Sequence, residues 1–81
     1  MLVTVRLFAR LREIADASEL RLQLREGSTV LDAWQALAAS NREIEPYATS
    51  VSCAVNADYS TMSASLRDGD EVAFLPPVSG G

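Results

Sequence analysis

The 81-residue sequence contains no histidine and no lysine, and it has a single cysteine, Cys53. Histidine and lysine are the usual general base and Schiff-base residues, so hydrolytic triads and activated serine nucleophiles are excluded. One cysteine cannot form an internal disulfide, and with no histidine beside it no metal site can be assembled. These gaps predict that the chain binds no metal or cofactor of its own, and they fit a reducing, cytoplasmic location.

Long apolar runs and basic clusters are also missing. No run approaches the ~20 residues that span a bilayer, and the first residues alternate apolar and polar side chains instead of resembling a signal peptide. Seven scattered arginines stand against eleven acidic residues, which gives a net charge of −4. This balance opposes binding to nucleic acid or to an anionic membrane. We therefore expect a soluble protein that binds neither.

The apolar content of 48 % is enough for the core of one small domain. Alternation over residues 2–8 and again over 18–25 predicts two half-buried strands. Between them, Leu11, Ile14 and Ala15 have the spacing of one helix face, which predicts a short helix over residues 10–17.

The longest helix is predicted to follow Gly27 and to end near Asn41. Ser28 or Thr29 is placed to cap its first turn by accepting a backbone hydrogen bond. One of its faces is apolar, so the helix should lie across a sheet and bury Trp34. The residues of that face are Val30, Trp34, Leu37 and Ala38.

The second half of the chain predicts a loop over 42–50 and short strands over 51–56, around 59–62 and over 71–75. The resulting order, β-α-β-α-β-β-β, indicates an α+β protein with one main helix packed across a mixed sheet of four or five strands. The β-grasp roll of ubiquitin is the small fold that matches. In that roll the first and last strands lie side by side at the sheet centre, which explains why both are strongly apolar here.

Two other features of the sequence could carry chemistry: the thiol of Cys53 and the clustered carboxylates. Cys53 shares its strand parity with Val51 and Val55, which favours a buried thiol over a reactive one. Carboxylates cluster at 68–71 and 43–45, but the first group lies in a predicted turn and the second in the loop. Solvated carboxylates are the usual outcome at such positions, so we expect no acid-base pair there.

The last residues, 76–81, are Pro-Pro-Val-Ser-Gly-Gly. Two prolines cannot continue a strand ladder, and they hold the chain extended. Glycine lacks a Cβ and so can pass where another protein's backbone closes around the chain. The sequence therefore predicts a β-grasp domain over 1–75 and an extended, flexible tail over 76–81.

The most specific motif is L-R-D-G-D-E-V-A at 66–73 followed by F-L-P-P-V-S-G-G. This ending resembles the small subunit of molybdopterin synthase, a ubiquitin-like sulfur carrier, in which D-G-D-E-V-A-F-x-P-P-V-[ST]-G-G closes the chain. The segments F-A-R-L-R-E at 8–13, G-S-T-V at 27–30 and V-N at 55–56 extend the resemblance over nearly the whole sequence. The predicted loop carries no recognisable motif.

The resemblance implies that the carboxylate of Gly81 is the working group. A partner adenylyltransferase resembling ubiquitin-activating enzymes would use ATP to adenylate it, and a cysteine desulfurase or rhodanese-like protein would supply sulfur to give a thiocarboxylate. The sulfur would pass to cyclic pyranopterin monophosphate, building the dithiolene of molybdopterin inside the large subunit of a heterotetramer. The chain would thus be a cosubstrate and not catalytic alone. The residues implied to enter the partner are Pro76, Pro77, Val78, Ser79 and Gly80.

A partner surface is predicted beside the tail. Strand parity turns Phe8 and Leu75 away from the core, and adjacent first and last strands make them neighbours on the open face of the sheet. Tyr59 is predicted to extend this patch, and Arg12 is predicted to be a charged anchor.

Three other functions share parts of this pattern. Sulfur carriers for thiamin thiazole or for tRNA thiolation share the fold and the Gly-Gly end. A ubiquitin-like modifier would join Gly81 to lysines of other proteins. A plain interaction module would carry its glycines incidentally.

Overall fold

The computed structural model describes residues 1–77, and its helices and strands follow the order that the periodicity predicts. The elements are β1 (Leu2–Leu7), α1 (Ala9–Ala15), β2 (Glu19–Gln23), α2 (Val30–Ser40), a 3-10 helix (Arg42–Tyr47), β3 (Ser52–Val55), β4 (Asp58–Ser60) and β5 (Glu71–Leu75).

The five strands form one mixed sheet in the order β2-β1-β5-β3-β4. Strands β1 and β5 are parallel, with Val5 opposite Val72 and Leu7 opposite Phe74, and the other neighbouring strands are antiparallel. The prediction that the first and last strands pair in the middle of the sheet is therefore confirmed. This is the β-grasp arrangement expected from the sequence.

Helix α2 begins at a capping box. The Asp32 N–H donates to Thr29 Oγ1 at 3.4 Å, and the Thr29 N–H donates to Asp32 Oδ2 at 2.8 Å. The predicted apolar face is buried, and Trp34 meets Phe74 edge to face with ring centroids 5.0 Å apart. Among the helices of residues 1–77, α2 is the longest at 11 residues, and none is long and apolar enough to cross a membrane.

The core lies between α2 and one face of the sheet. Burying each large apolar side chain contributes ~1.5–3 kcal/mol, and α2 covers the central strands where such side chains alternate. The largest fully buried side chains are Phe74, Leu7, Leu11, Leu37, Ile44, Val3, Val5, Val30 and Val72. No helix of residues 1–77 covers the opposite face of the sheet, which is called the open face below.

The segment after α2 differs from the predicted loop, because Arg42–Tyr47 forms a 3-10 helix. Ile44 is fully buried and holds this turn against the core. Its N–H donates to the Asn41 carbonyl at 3.0 Å, and the Ala48 N–H donates to that of Glu45, also at 3.0 Å. A 3-10 helix this short buries one apolar residue and so has no periodic pattern in the sequence.

The turn between β3 and β4 offers a test of this geometry. Asn56 and Ala57 have φ of 51° and 72°, as a two-residue hairpin turn of type I′ requires. The left-handed conformation costs a residue with a Cβ about 1–2 kcal/mol, and glycine avoids this cost. Glycine loses more conformational entropy on folding, which cancels part of that advantage. We expect Ala57→Gly to raise the free energy of unfolding by about 0.5–1 kcal/mol in urea titrations.

The matched control is Ala39→Gly, the same change at an exposed position inside α2. It should lower the free energy of unfolding by about 0.5–1 kcal/mol, since helical backbone gains nothing from glycine. Equal destabilisation by both variants would contradict the left-handed turn.

Candidate functional site

A groove of about 660 Å³ lies where β1 and β5 end side by side. Phe8 follows β1 with extended backbone, φ −131° and ψ 154°, so its side chain continues the strand alternation and turns away from the buried Leu7. Leu75, the last residue of β5, likewise follows the buried Phe74. The groove is lined by Phe8, Ala9, Arg10, Tyr47, Leu75, Pro76 and Pro77. The structure thus brings Phe8 and Leu75 together on the open face.

The predicted tail begins inside this groove. Pro76 and Pro77 line it directly after Leu75, and because neither has an N–H they end the ladder of β5. The remaining residues of the predicted tail, Val78, Ser79, Gly80 and Gly81, lie outside the described residues. The described part of the predicted tail therefore belongs to the groove.

The other two predicted partner-binding residues lie apart from the groove. Tyr59 is 82 % exposed on the edge strand β4. It lies opposite Ala54 of β3, which lies opposite Ala73 of β5, so all three residues share the open face of the sheet. Two strand spacings, about 10 Å, separate β4 from β5. Arg12 is exposed on α1 and does not line the groove. Partner binding by Tyr59 and Arg12 stays a prediction.

Three groove residues, Ala9, Arg10 and Tyr47, were not predicted from the sequence. A guanidinium nitrogen of Arg10 lies 3.9 Å from Glu13 Oε1, but both side chains are more than half exposed, so the ion pair contributes little. Arg10 therefore brings positive charge to an otherwise apolar groove. The sequence pointed to Arg10 only through its place in the family motif F-A-R-L-R-E. Tyr47 lies in the predicted loop, which has no motif, so nothing in the sequence pointed to it.

A strained residue forms the corner between β1 and α1. Ala9 has φ of 50°, in the left-handed region, and directly follows Phe8. The Phe8 carbonyl accepts from the Leu11 N–H at 3.1 Å, so the chain passes from strand to helix within one residue. This conformation costs Ala9 about 1–2 kcal/mol, and it forms the sharp corner that directly follows Phe8.

The comparisons with known proteins identify the family and the fold. The sequence model of the ThiS family matches residues 5–81. This chain belongs to the ThiS family. Two relatives of this ThiS-family chain bear the name molybdopterin synthase sulfur carrier subunit. The protein from Arabidopsis thaliana is 37 % identical, covering 98 % of this chain and 82 % of its own length. The protein from Chlamydomonas reinhardtii is 32 % identical over all of both chains.

The resemblance inferred from the motifs is thereby confirmed over the whole chain. Among solved structures, SAMP1 from Haloferax volcanii has a TM-score of 0.89 and 27 % identity, with 100 % of both chains covered. The β-grasp fold of this ThiS-family chain is confirmed by that likeness.

Two carboxylates of the turn before β5, Asp68 and Asp70, are hydrogen-bonded in the ThiS-family chain. Asp70 accepts from the Asn56 side chain at 2.9 Å and from the Arg67 N–H at 2.7 Å, and these bonds hold the pKa of Asp70 below its usual value. Asp68 accepts from the Leu2 N–H at 2.7 Å. A lowered pKa keeps Asp70 ionised, which suits an anchor for the turn and not a proton donor. Among residues 1–77, no group of three potential ligands could hold a metal ion.

Cys53 is 4 % exposed, as its strand parity predicted. Its S–H donates to the Ser60 carbonyl at 3.3 Å, and burial raises the pKa of the thiol. Both effects favour the neutral thiol over the nucleophilic thiolate. The sulfur atom of this ThiS-family chain is therefore part of the core.

We expect a disulfide reagent such as Ellman's reagent to modify native Cys53 at least about tenfold more slowly than the urea-unfolded chain, because the thiolate is neither exposed nor favoured. The control moves the thiol by one residue, as Ser52→Cys in a Cys53→Ala background, since Ser52 is exposed. That variant should react at the unfolded rate without urea. Equal rates for native Cys53 and the control would contradict the buried assignment.

Proposed function

We propose that this chain is the sulfur-carrier subunit of molybdopterin synthase and that the carboxylate of Gly81 carries the sulfur. The observation that carries the proposal is the relationship, over essentially the whole chain, to two proteins named as such carriers. The groove supports it, since apolar side chains surround Pro76 and Pro77, where the predicted tail begins.

The proposed chemistry begins with activation. A terminal carboxylate has a pKa of ~3.3–3.7 and is a poor electrophile at neutral pH. An ATP-dependent adenylyltransferase resembling ubiquitin-activating enzymes converts it to an acyl-adenylate. A persulfide from a cysteine desulfurase or rhodanese-like protein then attacks the carbonyl carbon, AMP leaves, and later cleavage of the S–S bond by a thiol leaves the thiocarboxylate. We propose that this cycle takes place in the cytoplasm.

The second stage is delivery to the large subunit of the synthase. The tail, Pro76 to Gly81, enters that subunit's active site, and the thiocarboxylate sulfur passes to cyclic pyranopterin monophosphate. Asp68 and Asp70 are committed to turns of this chain, so the acid-base groups of the transfer belong to the partner. We propose a heterotetramer in which this chain is the cosubstrate.

Docking in this proposal uses the groove and its surroundings. Phe8 and Leu75 supply apolar contact area, and Arg10 pairs with a carboxylate of the partner at the groove rim. Tyr59 extends the contact across the open face, and Arg12 is a second charged anchor. These contacts fix the root of the tail, which sets how far Gly81 reaches.

A second candidate is a protein modifier joined through Gly81 to lysines of other proteins. The structural likeness to SAMP1 favours this candidate. SAMP1 is the abbreviation of small archaeal modifier protein 1, the name given to a similar solved structure from Methanosarcina acetivorans. Carriers for thiamin thiazole or tRNA thiolation would also bear a thiocarboxylate. Mass spectrometry of protein isolated from cells separates the classes: a C-terminal thiocarboxylate marks a carrier, and isopeptide conjugates mark a modifier.

We expect Phe8→Glu to weaken binding to the purified large subunit while circular dichroism stays unchanged. The loss of an apolar contact worth ~1.5–3 kcal/mol corresponds to roughly a 10- to 100-fold rise in Kd, measured by titration calorimetry. The matched control is Leu2→Glu, at the opposite end of the same strand face; Leu2 is 43 % exposed and Phe8 38 %. Equal weakening by both variants would argue against docking at the groove, and unfolding of Phe8→Glu would show a core role.

Removing Gly81 should abolish sulfur transfer and leave thermal stability nearly unchanged, because a terminal segment makes few core contacts. The carboxylate is then displaced by up to ~3.6 Å, and a misplacement of ~1 Å can cost a hundredfold in rate. The measurement is molybdopterin formation from cyclic pyranopterin monophosphate by the purified large subunit, with both carriers thiocarboxylated in the same way. Turnover by the truncated carrier at the full-length rate would refute the proposal.

A further inference from the structure

Activation at Gly81 exposes an acyl group to every amine and thiol of the chain itself. An amine nitrogen that attacks the carbonyl carbon forms a C–N bond, breaks the bond to the AMP oxygen, and releases AMP with the electron pair and a proton to solvent. A thiol gives a thioester in the same way. Either reaction would divert the activated carrier before a persulfide arrives.

The sequence offers very few such nucleophiles. All seven basic side chains are arginines, and a guanidinium stays protonated at any physiological pH, so none can attack. Hydroxyl groups are weak nucleophiles without a neighbouring base, and the chain has no histidine. Two groups remain, the α-amine of Met1 and the thiol of Cys53.

The Met1 amine is engaged and distant. It donates to the Leu24 carbonyl at 2.7 Å. Because β1 and β5 are parallel, Met1 lies at one end of the sheet and Pro77 lines the groove beside Phe8 at the other. Seven residue steps along β1, roughly 23 Å, separate Met1 from Phe8, whereas the four residues after Pro77 span at most ~14 Å. The amine is therefore beyond reach within one molecule.

The Cys53 thiol is excluded by burial. It lies on the core face of β3 with its S–H bonded to the Ser60 carbonyl, whereas the tail departs from the open-face groove. An acyl group at Gly81 would have to cross the sheet to meet it.

We infer, given the proposed function, that this chain is resistant to acylation by its own activated terminus: it presents no amine or thiol that Gly81 can reach, so the acyl group is kept for an external sulfur nucleophile. The absence of lysine is then a specificity feature of the carrier. A single lysine near the groove should be enough to divert the acyl group into an intramolecular amide.

The test uses a Gly81 α-thioester, made by intein cleavage of the full chain and incubated at pH 8. Mass spectrometry distinguishes the hydrolysed acid from a self-acylated product, which is lighter by one water. Arg10→Lys sets an amine in the groove, and Arg25→Lys sets the same amine near Met1, since Leu24 and Met1 are hydrogen-bonded. We expect hydrolysis alone for the parent chain, and intramolecular amide formation at least about tenfold faster in Arg10→Lys than in Arg25→Lys.

Self-acylation of the parent chain on Met1 or Cys53 at the rate of Arg10→Lys would overturn the inference. So would hydrolysis alone in Arg10→Lys, since lysine content would then have no consequence. Equal cyclisation of the two lysine variants would overturn the argument from distance. The assay contains neither the adenylating enzyme nor the large subunit, so failure of the proposed function, seen as the absence of thiocarboxylate in cells, remains a separate result.

Discussion

The parallel pairing of β1 with β5 is the contact on which the rest of the molecule depends. It joins the two ends of the described chain, and its register, Leu7 opposite Phe74, determines that Phe8 and Leu75 emerge together. Parallel strands end at the same edge of a sheet, so the segment that follows β5 departs beside the corner that follows β1. The same pairing holds Phe74 beneath Trp34, which links the sheet centre to α2.

That geometry separates two tasks. The core face stabilises the fold through large buried side chains, and it buries the Cys53 thiol, which is therefore not available as a nucleophile. The open face and the groove carry the features suited to a partner, including exposed aromatic rings and the charge of Arg10. The left-handed Ala9 belongs to the second task, because it forms the corner that follows Phe8 at the groove.

A carrier of an activated acyl group faces a constraint that an ordinary binding domain does not. Its terminus must react with one external sulfur nucleophile and ignore its own side chains. Under the proposed function, three features of this chain meet that constraint. Its basic side chains are all arginines, its Met1 amine lies at the far end of the sheet, and its one thiol is buried. A modifier that builds chains on its own copies would need accessible lysines, and this sequence has none.

The sequence by itself determined the element order, the buried face of α2 and the last strand, Glu71–Leu75, because strand alternation, helix period and turn residues are local signals. Its C-terminal motif also indicated the family. It did not reveal the 3-10 helix, whose single buried residue leaves no period, and so it missed Tyr47. It predicted Arg12 as a charged anchor but did not reveal that Arg10 lines the groove, because strand parity fixes which face a residue occupies but not how a chain turns after the strand. Only the tertiary structure decided that corner, through the left-handed Ala9 and the packing of the 3-10 helix beside the end of β5.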